Sequence, residues 1–257
     1  MSGDQAAPYA HLAPYYEVLS ETRDWDAWLA FVQAVLEKCM GQGRFDLLDA
    51  ACGTGRIAVG LRLLGHRVTG VDISEAMLRE ARRNAEAARV DLPLYHQDLR
   101  RLDLPGSYDA ALCLCDSLNY ITEHGELTSA LCNLRRSLRP GGILLFDVNT
   151  AWKLEHVYGD YTYAEHVGEL SYIWENAYDP ERRTVTMHLA FFVHEGGRRY
   201  RRVDEVHVQR AYSHEEMAAA LAGAGLQLVS WGEVAGFTPP EPVEERVFYL
   251  VRRPETG

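Results

Sequence analysis

Carboxylates stand at the ends of apolar runs in this chain, and their spacing is what could do chemistry: Asp49, Asp72, Asp98 and Asp116. Asp49 follows Leu47-Leu48 and leads into Ala50-Ala51-Cys52-Gly53-Thr54-Gly55-Arg56-Ile57-Ala58, which reads as strand, glycine turn and first helical turn. Glycines there let the backbone bend tightly and approach a ligand. The helix start offers unpaired N–H groups to an anionic ligand group. Gly53, Gly55 and Ala58 satisfy G-x-G-x-x-G/A, so NAD is compatible with these three positions. Asp49 separates the readings. It would repel a pyrophosphate held in the turn, whereas a cationic amine and a sulfonium would welcome it. That favours S-adenosylmethionine (SAM) over NAD.

The other acids extend the argument. Asp72 lies 17 residues beyond Gly55 at the end of a second strand, where an acid accepts from both ribose hydroxyls; the bland alternative is a surface carboxylate. Asp98, in His96-Gln97-Asp98-Leu99, either accepts the adenine amine or caps a turn. Asp116, Asn119 and Tyr120 follow a fourth strand, at the edge where parallel sheets bind ligands, although Asp and Asn also serve ordinary turns. Tyr9, Ala13, Tyr16 and Trp28 could form an aromatic lid over a sulfonium, or simply pack a core. Further on, Trp152, Tyr161, Tyr163, Tyr172, Trp174, Tyr178 and Phe191 are aromatics of which half must pack. The remainder, with His188, His207, Arg210 and Tyr212, could shape an acceptor pocket. Arg198-Arg199-Tyr200-Arg201-Arg202 reads either as a nucleic-acid hairpin tip or as a solvated basic turn. The ten histidines show no ligand spacing, so no metal is expected.

These residues need elements to hold them. Trp25, Trp28, Leu29, Val32, Val35 and Leu36 share one helical face. Strands are expected at Arg67–Val71, Leu94–His96, Tyr108–Leu114 and Ile143–Val148, and helices at Ser74–Ala88 and Glu126–Leu138, with a turn at Arg139-Pro140-Gly141-Gly142. Ser74 is a plausible N-cap. Strands alternating with helices imply right-handed crossovers and a parallel sheet. From Asn149 to about Tyr212 the helical period gives way to two-residue alternation, with Val185, Met187, Leu189, Phe191 and Val193 on one face. That predicts a small antiparallel insert. The αβ rhythm resumes with a helix near Ser213–Ala224 and strands near Leu226–Val234 and Glu244–Val251, joined through a loop at Thr238–Pro242.

The composition bounds the partners. Across 257 residues, 26 Lys plus Arg face 37 Asp plus Glu, a formal charge of −11. That disfavours nucleic acid and anionic membranes, which need clustered positive charge. The five cysteines form no C-x-x-C pair, Met1–Pro8 has no leader-like pattern, and no apolar run reaches membrane-spanning length. A cytoplasmic protein is expected.

Asp49-Ala50-Ala51-Cys52-Gly53-Thr54-Gly55, Val68-Thr69-Gly70-Val71-Asp72-Ile73-Ser74, Gln97-Asp98-Leu99 and Leu138-Arg139-Pro140-Gly141-Gly142 together resemble the class I SAM-dependent methyltransferases. The resemblance covers almost the full length. Tyr9, Leu12-Ala13, Tyr16 and Trp25-Asp26-Ala27-Trp28 look like a small-molecule subgroup of bacterial members with a β-rich insert, more distantly similar to deoxyamino-sugar N-methyltransferases. It implies an α/β, Rossmann-like seven-stranded methyltransferase sheet whose last strand is antiparallel beside the fifth, plus the small antiparallel β insert. Residues 1–148 and 213–257 would form the SAM-binding domain, with 1–40 as a helical lid, and 149–212 the insert. Gly53 and Gly55 would approach the methionyl part, Asp72 the ribose, and Asp98 and Leu99 the adenine. Tyr16, Trp28, Asp49, Ala51, Ile73, Met77 and Cys115 complete the expected cofactor set. Asn119, Tyr120, Trp152, Tyr172, Trp174, Arg210 and Tyr212 are the acceptor-site candidates, and Asp116, His188 and His207 the conceivable bases. Asp116-Ser117-Leu118-Asn119 departs from the Asn/Asp-Pro-Pro-Tyr/Phe motif of amino-methylating nucleic-acid enzymes, and no Pro-Cys nucleophile follows that strand. The expected reaction is in-line methyl transfer to an N or O nucleophile of a small molecule. The rivals are an RNA or protein methyltransferase using the Arg198–Arg202 turn, an NAD-dependent oxidoreductase, and a binding-only module.

Overall fold

The computed structural model describes residues 8–20, 23–104, 107–233, 241 and 243–255. The strands run β1 Asp46–Ala50, β2 Arg67–Asp72, β3 Leu94–His96, β4 Tyr108–Cys113, β5 Leu138–Asn149, β6 Thr162–Val167, β7 Leu170–Asp179, β8 Thr184–His194, β9 Tyr200–Arg210, β10 Gln227–Gly232 and β11 Arg246–Arg252. The helices are α1 Tyr16–Leu19, α2 Trp25–Met40, α3 Arg56–Leu63, α4 Glu75–Ala88, α5 His124–Ser137 and α6 His214–Gly223. Seven strands form one sheet in the order β10-β11-β5-β4-β1-β2-β3, with β11 antiparallel to β5.

Both faces of this sheet are covered, which is why its strands read as continuous apolar runs. Leu48, Ala111, Leu144 and Phe146 meet Leu127, Leu131, Leu134, Met217 and Leu221 of α5 and α6. On the opposite face Leu47, Leu112, Leu145 and Phe248 meet Val32, Leu36, Ile57 and Leu61 of α2 and α3. Helix starts follow the local chemistry. Ser74 accepts from the Met77 N–H at 3.3 Å, and Ser213 with Glu216 closes a capping box on α6.

The antiparallel sheet β6-β7-β8-β9 stands beside this core. Val185, Met187, Leu189, Phe191 and Val193 line its buried face with Leu12 from the amino-terminal segment and Leu154. Two local readings are corrected. Lys153–Tyr158 forms a short π-helical stretch inside the segment read as alternating strand, and the Thr150 hydroxyl accepts the Lys153 N–H at 3.1 Å to start it. The expected turn at Arg139–Gly142 belongs to β5, because Gly141 and Gly142 exchange backbone hydrogen bonds with Arg253. Of the Thr238–Pro242 loop, only Glu241 lies among the described residues. No described helix is long and apolar enough to cross a membrane.

Candidate active site

The parallel strands β1, β2 and β4 end at one edge, and the acids singled out above arrive there with them. Asp49 is 3% exposed, and its Oδ2 has no hydrogen-bond partner among the described residues. Burial, with Asp72 nearby, pushes its pKa up to about 7 against the pull of the Ala58 N–H. Asp72 accepts from the Gly53 and Ser74 N–H groups, each at 2.8 Å, so it ties the glycine turn to the end of β2. Gly53 has φ +55° and a Cβ there would meet no described residue within 4 Å, so open space adjoins it among them. Gly55 differs. At φ +75° its missing side chain is matched by Ala81 of α4, 3.1 Å from where a Cβ would stand. Its role in the fold is close packing of the turn on a helix.

Ties that leave no signal in the sequence hold this turn from above. Glu17 of α1 accepts from the Thr54 hydroxyl at 2.5 Å and pairs with Arg56 at 2.7 Å, while the Asn84 side-chain amide donates to the Thr54 carbonyl at 2.9 Å. No local pattern links residues 17, 54 and 84.

At the end of β4, Cys115 and Asp116 both adopt left-handed backbone, φ +61° and +54°. Such strain persists only where surroundings enforce it. Here the buried Asp147 of β5 accepts both N–H groups, at 2.7 and 2.9 Å. Arg246 bridges Asp147 and Asp116, the latter at 2.8 Å, and Gln209 donates to the second Asp116 oxygen at 2.8 Å. Antiparallel β11 begins where β5 ends, which is how Arg246 reaches this edge. Arg23 donates to Cys115 Sγ at 3.1 Å and lies over the rings of Trp25 and Trp28. No carboxylate pairs with it among the described residues. Burial pushes the Cys115 thiol up to about 12, against the pull of Arg23, so the sulfur is a neutral partner.

A third assembly crosses from the amino terminus to the second sheet. Tyr9 Oη lies 2.7 Å from Tyr120 Oη, which lies 3.0 Å from His207 Nδ1, and His207 Nε2 lies 2.8 Å from Glu205 Oε2. Glu205, 2% exposed, also accepts the backbone N–H groups of Tyr9, His11 and Leu12. Burial raises the pKa of its carboxyl, but the hydrogen bond with His207 and the His11 and Leu12 N–H groups together hold it below the usual range.

The chain matches the family model of a methyltransferase domain over residues 47–142. It is 36% identical over 247 residues to a Geobacillus sp. protein named "Putative methyltransferase", covering 95% of this chain and 99% of the relative. A solved SAM-dependent methyltransferase from Clostridium acetobutylicum superposes with a TM-score of 0.83 at 29% identity, over 94% of this chain and 96% of that one. The chain belongs to the class I SAM-dependent methyltransferases. The sugar N-methyltransferase KedS8 from Streptoalloteichus shares its fold, with a TM-score of 0.78 at 21% identity over 99% and 98% of the two chains.

In this methyltransferase the remaining candidates separate. Ile73 stands 59% exposed beside Asp72, and buried Met77 packs with Ala13, Tyr9 and Tyr16. Tyr16 meets Tyr9 edge-on at 5.8 Å, and Trp28 carries the guanidinium groups of Arg23 and Arg246 over its ring. Asp98 is gripped by Arg100 through its backbone and side chain, the capping arrangement weighed above, and Leu99 is buried beneath it. Asp116 is committed to Arg246 and Gln209. His188 is exposed on the opposite face of β8 from Met187, whose register partner is His207, so the two histidines are not brought together. Asn119 is fully buried, donating to the Asn149 and Arg210 carbonyls and accepting the Asn149 N–H. It staples β5 to β9 and leaves little for a substrate. Arg210 bonds the Thr122 carbonyl and Glu216, and buried Tyr212 donates to the Ile121 carbonyl, so both fasten the second sheet to the core. Trp152 stacks on His156, Tyr172 donates to Glu165, and Trp174 packs between Tyr158 and Tyr163. In the basic turn, Arg201 and Arg202 pair with Glu195 and Asp204.

Proposed function

We propose that this methyltransferase moves a methyl group from SAM to an N or O nucleophile of a small molecule. The acceptor would lie between the carboxyl edge of the main sheet and the sheet β6–β9. The observation that carries the cofactor reading is the buried Oδ2 of Asp49, unpartnered among the described residues, at the end of the strand that leads into the turn at Gly53. An uncompensated buried carboxylate is costly, and a cationic amino group at that position would satisfy it. The residues therefore fit SAM. Asp49, Ala51 and Gly53 would hold the methionyl part. Asp72, using about two of its roughly four lone-pair sites for the turn, keeps the rest for ribose hydroxyls. Ile73 and Met77 would flank the adenosine, with the 98–99 backbone at its far edge. Tyr16, Trp28 and Cys115 would close the site, and Arg23, which pairs with no carboxylate among the described residues, would take the methionyl carboxylate.

When bound, SAM supplies an electrophilic methyl carbon on its sulfonium. The protein's residues then have to orient the acceptor in line with it and exclude water, and orientation alone can lower such a barrier by roughly 7–11 kcal/mol. Tyr120, Trp152, Tyr172 and Trp174 are the acceptor-side residues in this reading, and the division into a SAM-binding part, 1–148 with 213–257, and an acceptor-side insert, 149–212, follows from it. The likeness to a sugar N-methyltransferase fold supports a small acceptor, and the net charge of −11 argues against nucleic acid.

Calorimetry with S-adenosylhomocysteine and a labelled-methyl transfer screen over amines and alcohols test the reading. Asp72→Ala should weaken binding by about 1.5–3 kcal/mol. Absence of binding to the unaltered protein would overturn it.

A further inference from the structure

We propose that Tyr9, Tyr120, His207 and Glu205 form a proton relay that takes a proton from the methyl acceptor. The acceptor is then a hydroxyl or an ammonium group rather than one with no proton to lose. This rests on the methyl-transfer reading above.

The direction of the relay follows from its fixed end. Glu205 accepts hydrogen bonds from three backbone N–H groups, so it is a carboxylate that only accepts. His207 Nε2, 2.8 Å away, must therefore carry its hydrogen. In the neutral imidazole this leaves Nδ1 bare, so Tyr120 donates to Nδ1 across 3.0 Å. Tyr120 has then spent its hydrogen, and Tyr9 donates to Tyr120 across 2.7 Å. Every hydrogen points toward His207. The lone pairs of Tyr9 Oη are left as the inlet. Tyr9 is half-buried and packs on Tyr16 and Met77, two residues of the proposed cofactor site.

The transfer balances. A hydroxyl passes its proton to Tyr9 Oη as its oxygen forms the bond to the methyl carbon; an ammonium passes it first, and the lone pair freed on nitrogen then forms that bond. Tyr9 gives its original proton to Tyr120, and Tyr120 gives its proton to His207 Nδ1. The C–S bonding pair stays on sulfur. Both tyrosines end neutral, and the new imidazolium lies against the Glu205 carboxylate. Burial, with neighbouring hydroxyls and Asp116, pushes both tyrosine pKa values up, so each passes a proton on as it receives one, without dwelling as a phenolate. Glu205 acts through His207 and is a positioning residue.

Nitrogen-15 NMR of histidine-labelled protein reads this directly, with His207→Gln identifying the signal among ten histidines. The expected result is a protonated Nε2 and a bare Nδ1 in the unaltered protein bound to S-adenosylhomocysteine. Glu205→Gln places an amide donor where an acceptor stood, and should reverse the tautomer to protonated Nδ1. A protonated Nδ1 in the unaltered protein, alone or with Nε2, overturns the relay, whether or not any variant folds. With the acceptor that the screen identifies, Glu205→Gln and His207→Gln should lower turnover about 100-fold or more, and His207→Gln should leave S-adenosylhomocysteine affinity within a few-fold. Unchanged turnover also overturns it. Failure of S-adenosylhomocysteine to bind at all unseats the methyl-transfer reading instead, so the two failures are distinguishable.

Discussion

Burying a carboxylate with an unpartnered oxygen costs free energy unless the group takes up a proton, and among the described residues Asp49 Oδ2 is in that state. Its pKa rises from the roughly 3.9 of an unfolded chain to about 7. The folded state therefore binds this proton more tightly. Its contribution to stability is complete below about pH 4 and is lost as pH rises through 7, on the order of 4 kcal/mol in all. Urea unfolding of the unliganded chain between pH 4 and 8 should show this loss, and Asp49→Asn should flatten it. A neighbouring cation reverses the preference, so affinity for S-adenosylhomocysteine should rise over the same range. Arg23 makes a second residue-scale test. Arg23→Gln should weaken S-adenosylhomocysteine about tenfold or more and leave methylthioadenosine, which lacks the amino-acid portion, nearly unaffected. Equal weakening of both would remove Arg23 from the carboxylate.

At the scale of elements, the question is what fastens the second sheet to the first. Asn119 bonds the ends of β5 and β9 together, Tyr212 and Arg210 reach back to carbonyls near Thr122, and Glu205 gathers the amino-terminal turn onto β9. Asn119→Ala strands two carbonyls and one N–H in a buried place. It should cost roughly 2–4 kcal/mol, read as a lower urea midpoint with unchanged slope. The strands of the main sheet and the helices packed on it were legible in the sequence. Leu47 and Leu48 face opposite cores as alternation requires, and Ser74 caps α4 as its position suggested. Asn119 was not legible as a staple, because an Asn after a strand has the same local pattern whether it meets a ligand or a distant carbonyl. The π-helical stretch at Lys153–Tyr158 escaped for a related reason: six residues are too few to show a helical period.

For the whole molecule, the amino-terminal segment is the part that joins everything. Glu17 holds the glycine turn, Tyr9 and Leu12 lie on the second sheet, and Tyr16 meets the edge near Cys115. A ligand beneath that segment should hold it down. Hydrogen exchange of residues 9–19 is expected to slow on saturation with S-adenosylhomocysteine, with β9 near Glu205 slowing in step. If exchange there is unchanged while the ligand binds, the segment does not cover the cofactor.

The sequence by itself determined the main sheet, the family and the row of acids at its edge, because periodicity, glycine turns and strand-end carboxylates are local in the chain. Asp49 and Asp72 could be named from it. Only the tertiary structure decided which polar groups face each other. It set Arg246 between Asp116 and Asp147, spent Asn119 and Tyr212 on backbone carbonyls, and aligned Tyr9, Tyr120, His207 and Glu205. Those partners are separated by up to 196 residues. Hydrogen bonds of about 3 Å between such distant positions depend on the packing of two sheets, which no short stretch of the chain encodes.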